Sequence, residues 1–268
     1  MTDALGARHA EVKRLRALLR DPKARLAEDA LVIEGPRVLD AALDRGTTIE
    51  AVYLGPGAAN AFAALIERLD AAGVRRADLK EGVLEKVGTT RTPQPVLAIA
   101  RGCVRALDEV TGESIVVVAV DVTDPGNLGT IIRSAEAAGA DGVIVCGTSV
   151  DPRNPKVVRS SAGAVFGVLV MQTEDPLAVL DRLQSDGRRL FGAVARSGER
   201  YDSVDLSTRS ALVVGNEAHG LGAEVHARLD QDLSIPMAEA SESLNVAMAA
   251  TVVLFEAARQ RRLAFAQP

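Results

Sequence analysis

From position 30 onward, short apolar runs alternate with amphipathic stretches. Ala30–Glu34, Ile49–Leu54, Val74–Ala77 and Val96–Ala100 have the length and branched side chains of β-strands. Between them, the stretch after Gly35-Pro36-Arg37 to about Asp44, then Ala58–Ala72 and Gly82–Val87, predict helices. A helix from about Arg8 to Arg25 comes first, with Val12, Leu15, Leu18 and Leu19 as its apolar stripe. Such alternation predicts a small α/β layer domain.

The second half repeats the alternation with more continuous apolar runs. Ile115–Val120, Gly142–Cys146, Val165–Met171, Arg189–Ala195, Ala211–Val214 and Leu233–Ile235 predict six strands. Near-continuous runs indicate a mainly parallel sheet covered on both faces. Leu128–Ala138 and Pro155–Ala162 predict helices, as do Leu244, Val246, Ala247, Ala250, Val253, Leu254 and Ala257, with Ser241 or Ser243 as N-cap. Gly102–Ser114 is charged, holds two glycines and lacks an apolar period, so it predicts a linker. Two domains follow, 1–105 and 114–268.

Composition narrows the class. The 268 residues are 47% hydrophobic and 25% charged, an ordinary globular balance. No run approaches the ~18 apolar residues of a membrane span, and the N-terminus lacks a signal-peptide core. Cys103 and Cys146 stand apart with no metal-ligand spacing, so free thiols in a reducing cytoplasm and no metal are expected. A net charge of −5 disfavours indiscriminate nucleic-acid binding but permits local basic patches. Two such patches exist. Arg8–Arg25 carries seven cations against Glu11 and Asp21, and Pro152–Gly163 carries Arg153, Lys156 and Arg159 against no acid. Each has a solvated helix face as its alternative reading.

Three strand exits carry the chemistry. Ile115–Val120 runs into Asp-Pro-Gly-Asn127-Leu-Gly, with Arg133 on the following helix. Ala211–Val214 runs into Gly215-Asn216-Glu217, and Leu233–Ile235 into Pro236-Met237, with Ser243-Leu244-Asn245 at the start of the last helix. Strand exits in α/β folds gather free backbone donors and acceptors, and glycine there lets backbone approach a ligand. No GxGxxG fingerprint follows any strand.

Together, N-L-G-x-x-x-R, G-N-E-x-x-G and I-P-M with S-L-N-V-A resemble the three motifs of the SpoU/TrmH branch of the SPOUT RNA methyltransferases. The motif-bearing resemblance covers about 115–260; Glu34-Gly35-x-Arg37 is similar to a turn in the family's substrate-binding domain. It implies a C-terminal SPOUT domain with a trefoil knot and an N-terminal L30e-like RNA-binding domain. It also implies a homodimer that methylates a ribose 2′-hydroxyl using S-adenosylmethionine, on ribosomal RNA first and transfer RNA second.

By the same resemblance the cofactor falls to Gly215, Ile235 and Leu244, with Ala195, Asn216, Met237 and Asn245 as neighbours. Arg133 is the central catalytic candidate. As a base it would be costly, since neutralising a guanidinium at pH 7 takes roughly 7–9 kcal/mol. Fixing phosphate and attacking oxygen by charge-assisted bonds is the cheaper role. Asn127 is expected to orient Arg133 or the ribose, Glu217 to anchor Arg133 or else accept the proton, and Ser243 and Asn245 to contact substrate or loop. Arg37, Arg153, Lys156 and Arg159 are the RNA-contact candidates. His219 is set aside as a bystander. A non-catalytic RNA-binding or ribosome-assembly protein is the alternative from another class.

Overall fold

The computed structural model describes residues 4–89, 92–106, 109–110, 112–238 and 243–265. The chain divides into two compact units, 1–104 with 153–166, and 105–152 with 167–268. The segment Arg153–Phe166, counted above with the second domain, therefore groups with the first.

The first unit holds a four-stranded sheet, β1 (Ala30–Glu34), β2 (Thr48–Leu54), β3 (Arg75–Asp78) and β4 (Val96–Arg101), ordered β1-β4-β2-β3. Strands β1 and β2 run antiparallel to β4, and β3 parallel to β2. The basic N-terminal helix is two helices, α1 (Ala10–Arg20) and α2 (Pro22–Glu28). Pro22 cannot continue α1, and Asp21 caps α2 by accepting from the Lys23 amide at 2.9 Å. Val12, Leu15, Leu18 and Leu19 are buried, as their spacing requires. Helix α3 (Pro36–Asp44) follows β1. The expected helix over Ala58–Ala72 breaks at Phe62 into α4 (Ala58–Ala61) and α5 (Ala63–Ala71). Helix α6 (Val83–Val87) precedes β4.

Among the described residues the second unit holds seven strands: β5 (Ile115–Val120), β6 (Gly142–Cys146), β7 (Leu169–Thr173), β8 (Arg189–Ala193), β9 (Glu199–Arg200), β10 (Ser210–Val214) and β11 (Gln231–Ser234). Their order is β7-β6-β5-β10-β8-β11-β9, and every pairing is parallel. The central strands β5, β6 and β10 are buried at every residue, which accounts for their unbroken apolar runs. Helices α7 (Pro125–Ala138), α9 (Pro176–Ser185), α10 (Ala223–His226) and α11 (Val246–Phe265) cover this sheet; α8 (Pro155–Ser160) packs on β1 of the first unit. No helix among the described residues is long and apolar enough to cross a membrane.

Several boundaries move. The strand expected at Val165–Met171 begins at Leu169, because Ala164–Phe166 is a 3-10 turn and β7 pairs with β6 only from Leu169 onward. Strand β8 stops at Ala193 and β11 at Ser234. The short β9 and α10, and the helix α9, left no reading in the pattern above. The expected cap Ser243 is not the cap of α11. Asn245 is, its Oδ1 accepting from the amides of Ala247 (2.9 Å) and Met248 (3.3 Å). Ser241 lies outside the described residues.

Candidate active site at three strand exits

The exits of β5 and β10 and the start of α11 meet in the second unit, and hydrogen bonds join them in series. Asn127, in the first turn of α7, donates from Nδ2 to Glu217 Oε1 at 2.9 Å. Its Oδ1 accepts from Asn245 Nδ2 at 2.9 Å. Glu217 also accepts from the Asp124 amide (3.2 Å) at Oε1, and from the amide and hydroxyl of Thr123 (both 3.4 Å) at Oε2. Asp124 caps α7 by accepting from the Asn127 amide at 2.9 Å, which aims the Asn127 side chain. One residue from each motif is thus held by the next.

This network fixes charge as well as geometry. Burial pushes the Glu217 carboxyl up, but the bonds from Asn127, Asp124 and Thr123 outweigh it and hold the group below its ordinary value. Glu217 is therefore an ionised anchor for the β5 exit. It does not anchor Arg133, the role expected of it, because four donors of that exit already occupy both its oxygens. Arg133 is exposed on α7 and makes no ion pair or side-chain hydrogen bond among the described residues. Asn127 likewise does not orient it, since both ends of its amide are taken.

Beside the network lies a cavity of about 550 Å³. Of the seven expected cofactor residues, Ala195, Gly215, Ile235, Met237, Leu244 and Asn245 line it, as do Glu217 and Ser243 from the catalytic set. Asn216 does not. Its amide ties the β10 exit into a closed turn, donating to the Asp121 carbonyl (2.9 Å) and accepting from the amides of Ala218 (2.9 Å) and His219 (3.2 Å). Gly215 is required by that turn, because a Cβ there would sit 2.4 Å from the backbone of Gly220. Arg133 and Asn127 stand outside the lining. His219, set aside above, is on it, and so are Val253, whose helical spacing marked it only as core, and Ala249, which drew no reading.

The basic cluster of 153–159 is largely spoken for. Arg153 is buried and pairs with Asp29 at 2.8 Å, so it is a structural strut rather than a phosphate contact. Arg159 pairs at 2.9 Å with Glu34, whose carboxylate is almost wholly buried, and donates to Thr89 Oγ1 at 2.8 Å. Lys156 and Arg37 are exposed. Arg37 borders a depression formed with Asp40, Phe62 and Arg68. Among the described residues no group of His, Cys, Asp and Glu is placed to hold a metal.

The chain is similar to known proteins across both units. Residues 114–255 match the SpoU rRNA methylase family, and residues 9–98 match an MRM3-like substrate-binding domain. The 23S rRNA (uridine(2479)-2′-O)-methyltransferase of Streptomyces viridochromogenes is 32% identical over 95% of this chain and 91% of its own. The 23S rRNA (guanosine(2553)-2′-O)-methyltransferase RlmP of Bacillus subtilis is 34% identical over 68% of this chain and 72% of its own. Among solved structures, the SpoU methyltransferase AviRb of S. viridochromogenes in complex with AdoMet superposes with a TM-score of 0.85 at 30% identity. It covers 95% of this chain and 99% of its own.

Proposed function

Because the chain belongs to the SpoU rRNA methylase family, we propose that it transfers a methyl group from S-adenosylmethionine to a ribose 2′-hydroxyl of ribosomal RNA. The observation that carries this reading is the hydrogen-bonded series Glu217–Asn127–Asn245, which gathers three distant segments beside one cavity.

The cavity's residues fit the cofactor. Its size is within the usual range for small-molecule sites. Val214, Ile235, Met237, Leu244 and Val253 offer aliphatic surface for an adenine, and the turn at Gly215–Gly220 brings backbone groups to the rim. The carboxylate of Glu217 gives the site a negative charge suited to a sulfonium. Bound there, the cofactor supplies an electrophilic methyl group.

Arg133 is the uncommitted cation on the helix that carries Asn127, and it is free to bind a phosphate and the attacking oxygen by charge-assisted bonds. Asn127 and Asn245 fix the start of α7 against the start of α11 without touching Arg133. Ser243 is an exposed hydroxyl on the rim, placed to meet the substrate. Glu217, ionised and already bonded at both oxygens, holds the frame.

The first unit serves as the RNA-binding domain in this reading, with Arg37 and Lys156 the exposed members of the expected RNA-contact set. Met248, Phe255 and Leu263 are exposed along α11, with Leu244 just before it. A large apolar face on one helix supports a homodimer paired through α11. The reading includes a knotted C-terminal tail and action in the cytoplasm, where ribosomal RNA is made and folded. Mapping ribose methylation in ribosomal RNA from cells with and without the protein tests it. A position that loses its 2′-O-methyl group supports the proposal, and an unchanged map rejects it.

A further inference from the structure

We propose that Asp121 is a positioning residue, which with Thr148 sets the cofactor cavity from the neighbouring strand exit without lining it. The inference rests on the reading of that cavity as the S-adenosylmethionine site.

Asp121 is the first residue after β5 and takes the left-handed conformation, φ +55°, that side chains other than asparagine and aspartate rarely adopt. Two sets of bonds account for that turn. Outward, its Oδ1 accepts from the Thr148 amide (2.7 Å) and hydroxyl (2.8 Å) at the exit of β6. Its amide donates to the Cys146 carbonyl at 3.2 Å. Inward, its carbonyl accepts from Asn216 Nδ2 at 2.9 Å. Asn216 in turn closes the Gly215–Gly220 turn, most of which lines the cavity.

The neighbouring chain is shaped to this carboxylate. Gly147 also has positive φ, +65°, and a Cβ there would lie 2.4 Å from Asp121 Oδ1. One residue on, the Val122 amide donates to Ser149 Oγ at 2.9 Å, and Val150 donates to the Val122 carbonyl at 2.9 Å. The β6 exit therefore grips 121–122, and the β5 exit, through Asp121, Thr123, Asp124 and Asn127, grips Asn216 and Glu217. None of these β6-exit residues touches the cavity, so their service to it is indirect.

The test uses the full chain and measures S-adenosylmethionine binding by calorimetry, thermal stability, and KM against kcat on RNA. Asp121→Asn keeps an acceptor and tolerates the left-handed turn, so affinity should stay within about twofold of wild type. Asp121→Gly removes the carboxylate but adopts positive φ without strain, so the fold is kept. It should weaken cofactor binding and raise its KM on the order of tenfold, with a smaller loss in kcat at saturating cofactor. Thr148→Val, which loses only the hydroxyl bond, should weaken binding about twofold, and add nothing in the Asp121→Gly background. A folded Asp121→Gly variant with wild-type affinity and KM overturns the proposal, as does full additivity with Thr148→Val. Ala249→Phe, which fills the cavity, separates the two failures. Undiminished cofactor binding by that variant would reject the cavity reading itself; lost binding alongside an unaffected Asp121→Gly would reject only the role of Asp121.

Discussion

Asn127 and Asn245, 118 positions apart, share a 2.9 Å hydrogen bond from Nδ2 of the second to Oδ1 of the first. Each also does a second task. Asn127 binds Glu217, and Asn245 caps α11. The bond therefore joins the helix that carries Arg133 to the helix that closes the cavity. Two further contacts brace the same helices, Ser134 Oγ with Thr251 Oγ1 at 2.7 Å and Arg261 Nη2 donating to the Ala138 carbonyl at 2.9 Å.

Replacing Asn245 with alanine removes a helix cap worth about 1 kcal/mol and frees Asn127. The expected melting shift is about 2–4 °C, while misplacement of the site lowers kcat by on the order of 10²-fold. The double variant with Asn127→Ala should lose little more than either single one, because both remove the same link. Steady-state kinetics on the four proteins checks this; independent, multiplying losses contradict it.

Arg133→Ala should lower kcat by on the order of 10²-fold or more while cofactor affinity holds, because Arg133 does not line the cavity. Lysine at this position should recover only part, since it cannot bind two oxygens in the fork geometry of a guanidinium. Loss of cofactor binding in calorimetry of the alanine variant would place Arg133 inside the cofactor site instead.

The pH dependence follows from Glu217. Its folded pKa is lowered, so its contribution to the site is complete above the unfolded carboxyl value near 4.5 and is lost as pH falls through the lowered one. Cofactor affinity should thus stay level from neutral pH down to the carboxyl range and fall below it. Glu217→Gln, neutral at all these values, should bind more weakly at pH 7 and lose that acidic limb. A limb unchanged in the variant would assign the titration to another group.

Arg159→Ala strips the buried carboxylate of Glu34 of its ion partner and should destabilise the protein by about 3 kcal/mol. Adding Glu34→Gln should restore much of that stability, which a pure RNA contact would not. Thermal melts of the single and double variants decide it, and filter binding to ribosomal RNA reports any separate effect on affinity.

The α11 face predicts its own outcome. Met248→Lys with Phe255→Glu puts charge on two exposed apolar positions; sedimentation should show a dimer for the parent and a monomer for the variant. A monomeric parent would remove the homodimer from the account.

Much of the fold was legible because burial on both faces leaves an unbroken signal. The strands β1, β5 and β6 fall on their apolar runs to the residue, and α7 ends at Ala138 as expected, although it begins at Pro125, three residues before the Leu128 its pattern marked. Boundaries set by long-range pairing were not. Nothing local in Val165–Met171 says that β6 accepts a partner only from Leu169, and Phe62 carries no sign that it ends one helix and starts another. Much of the cavity's lining was reached through the family resemblance, with glycine and apolar residues at strand exits in keeping with it. Its frame was not, since Thr123 and Asp124 contribute backbone amides that any residue has. Charge counting misjudged 153–159 for a similar reason, as the acid that neutralises Arg153 lies 124 positions away.

The central claim, that the three strand exits form a site for 2′-O-methylation of ribosomal RNA, is tested most directly by one assay. Purified protein is incubated with ribosomal RNA and methyl-labelled S-adenosylmethionine, and the RNA is digested to nucleosides for mass spectrometry. The account predicts label in a single 2′-O-methylnucleoside, absent with Arg133→Ala. Label on a base, or none with wild-type protein on any ribosomal RNA preparation, contradicts it.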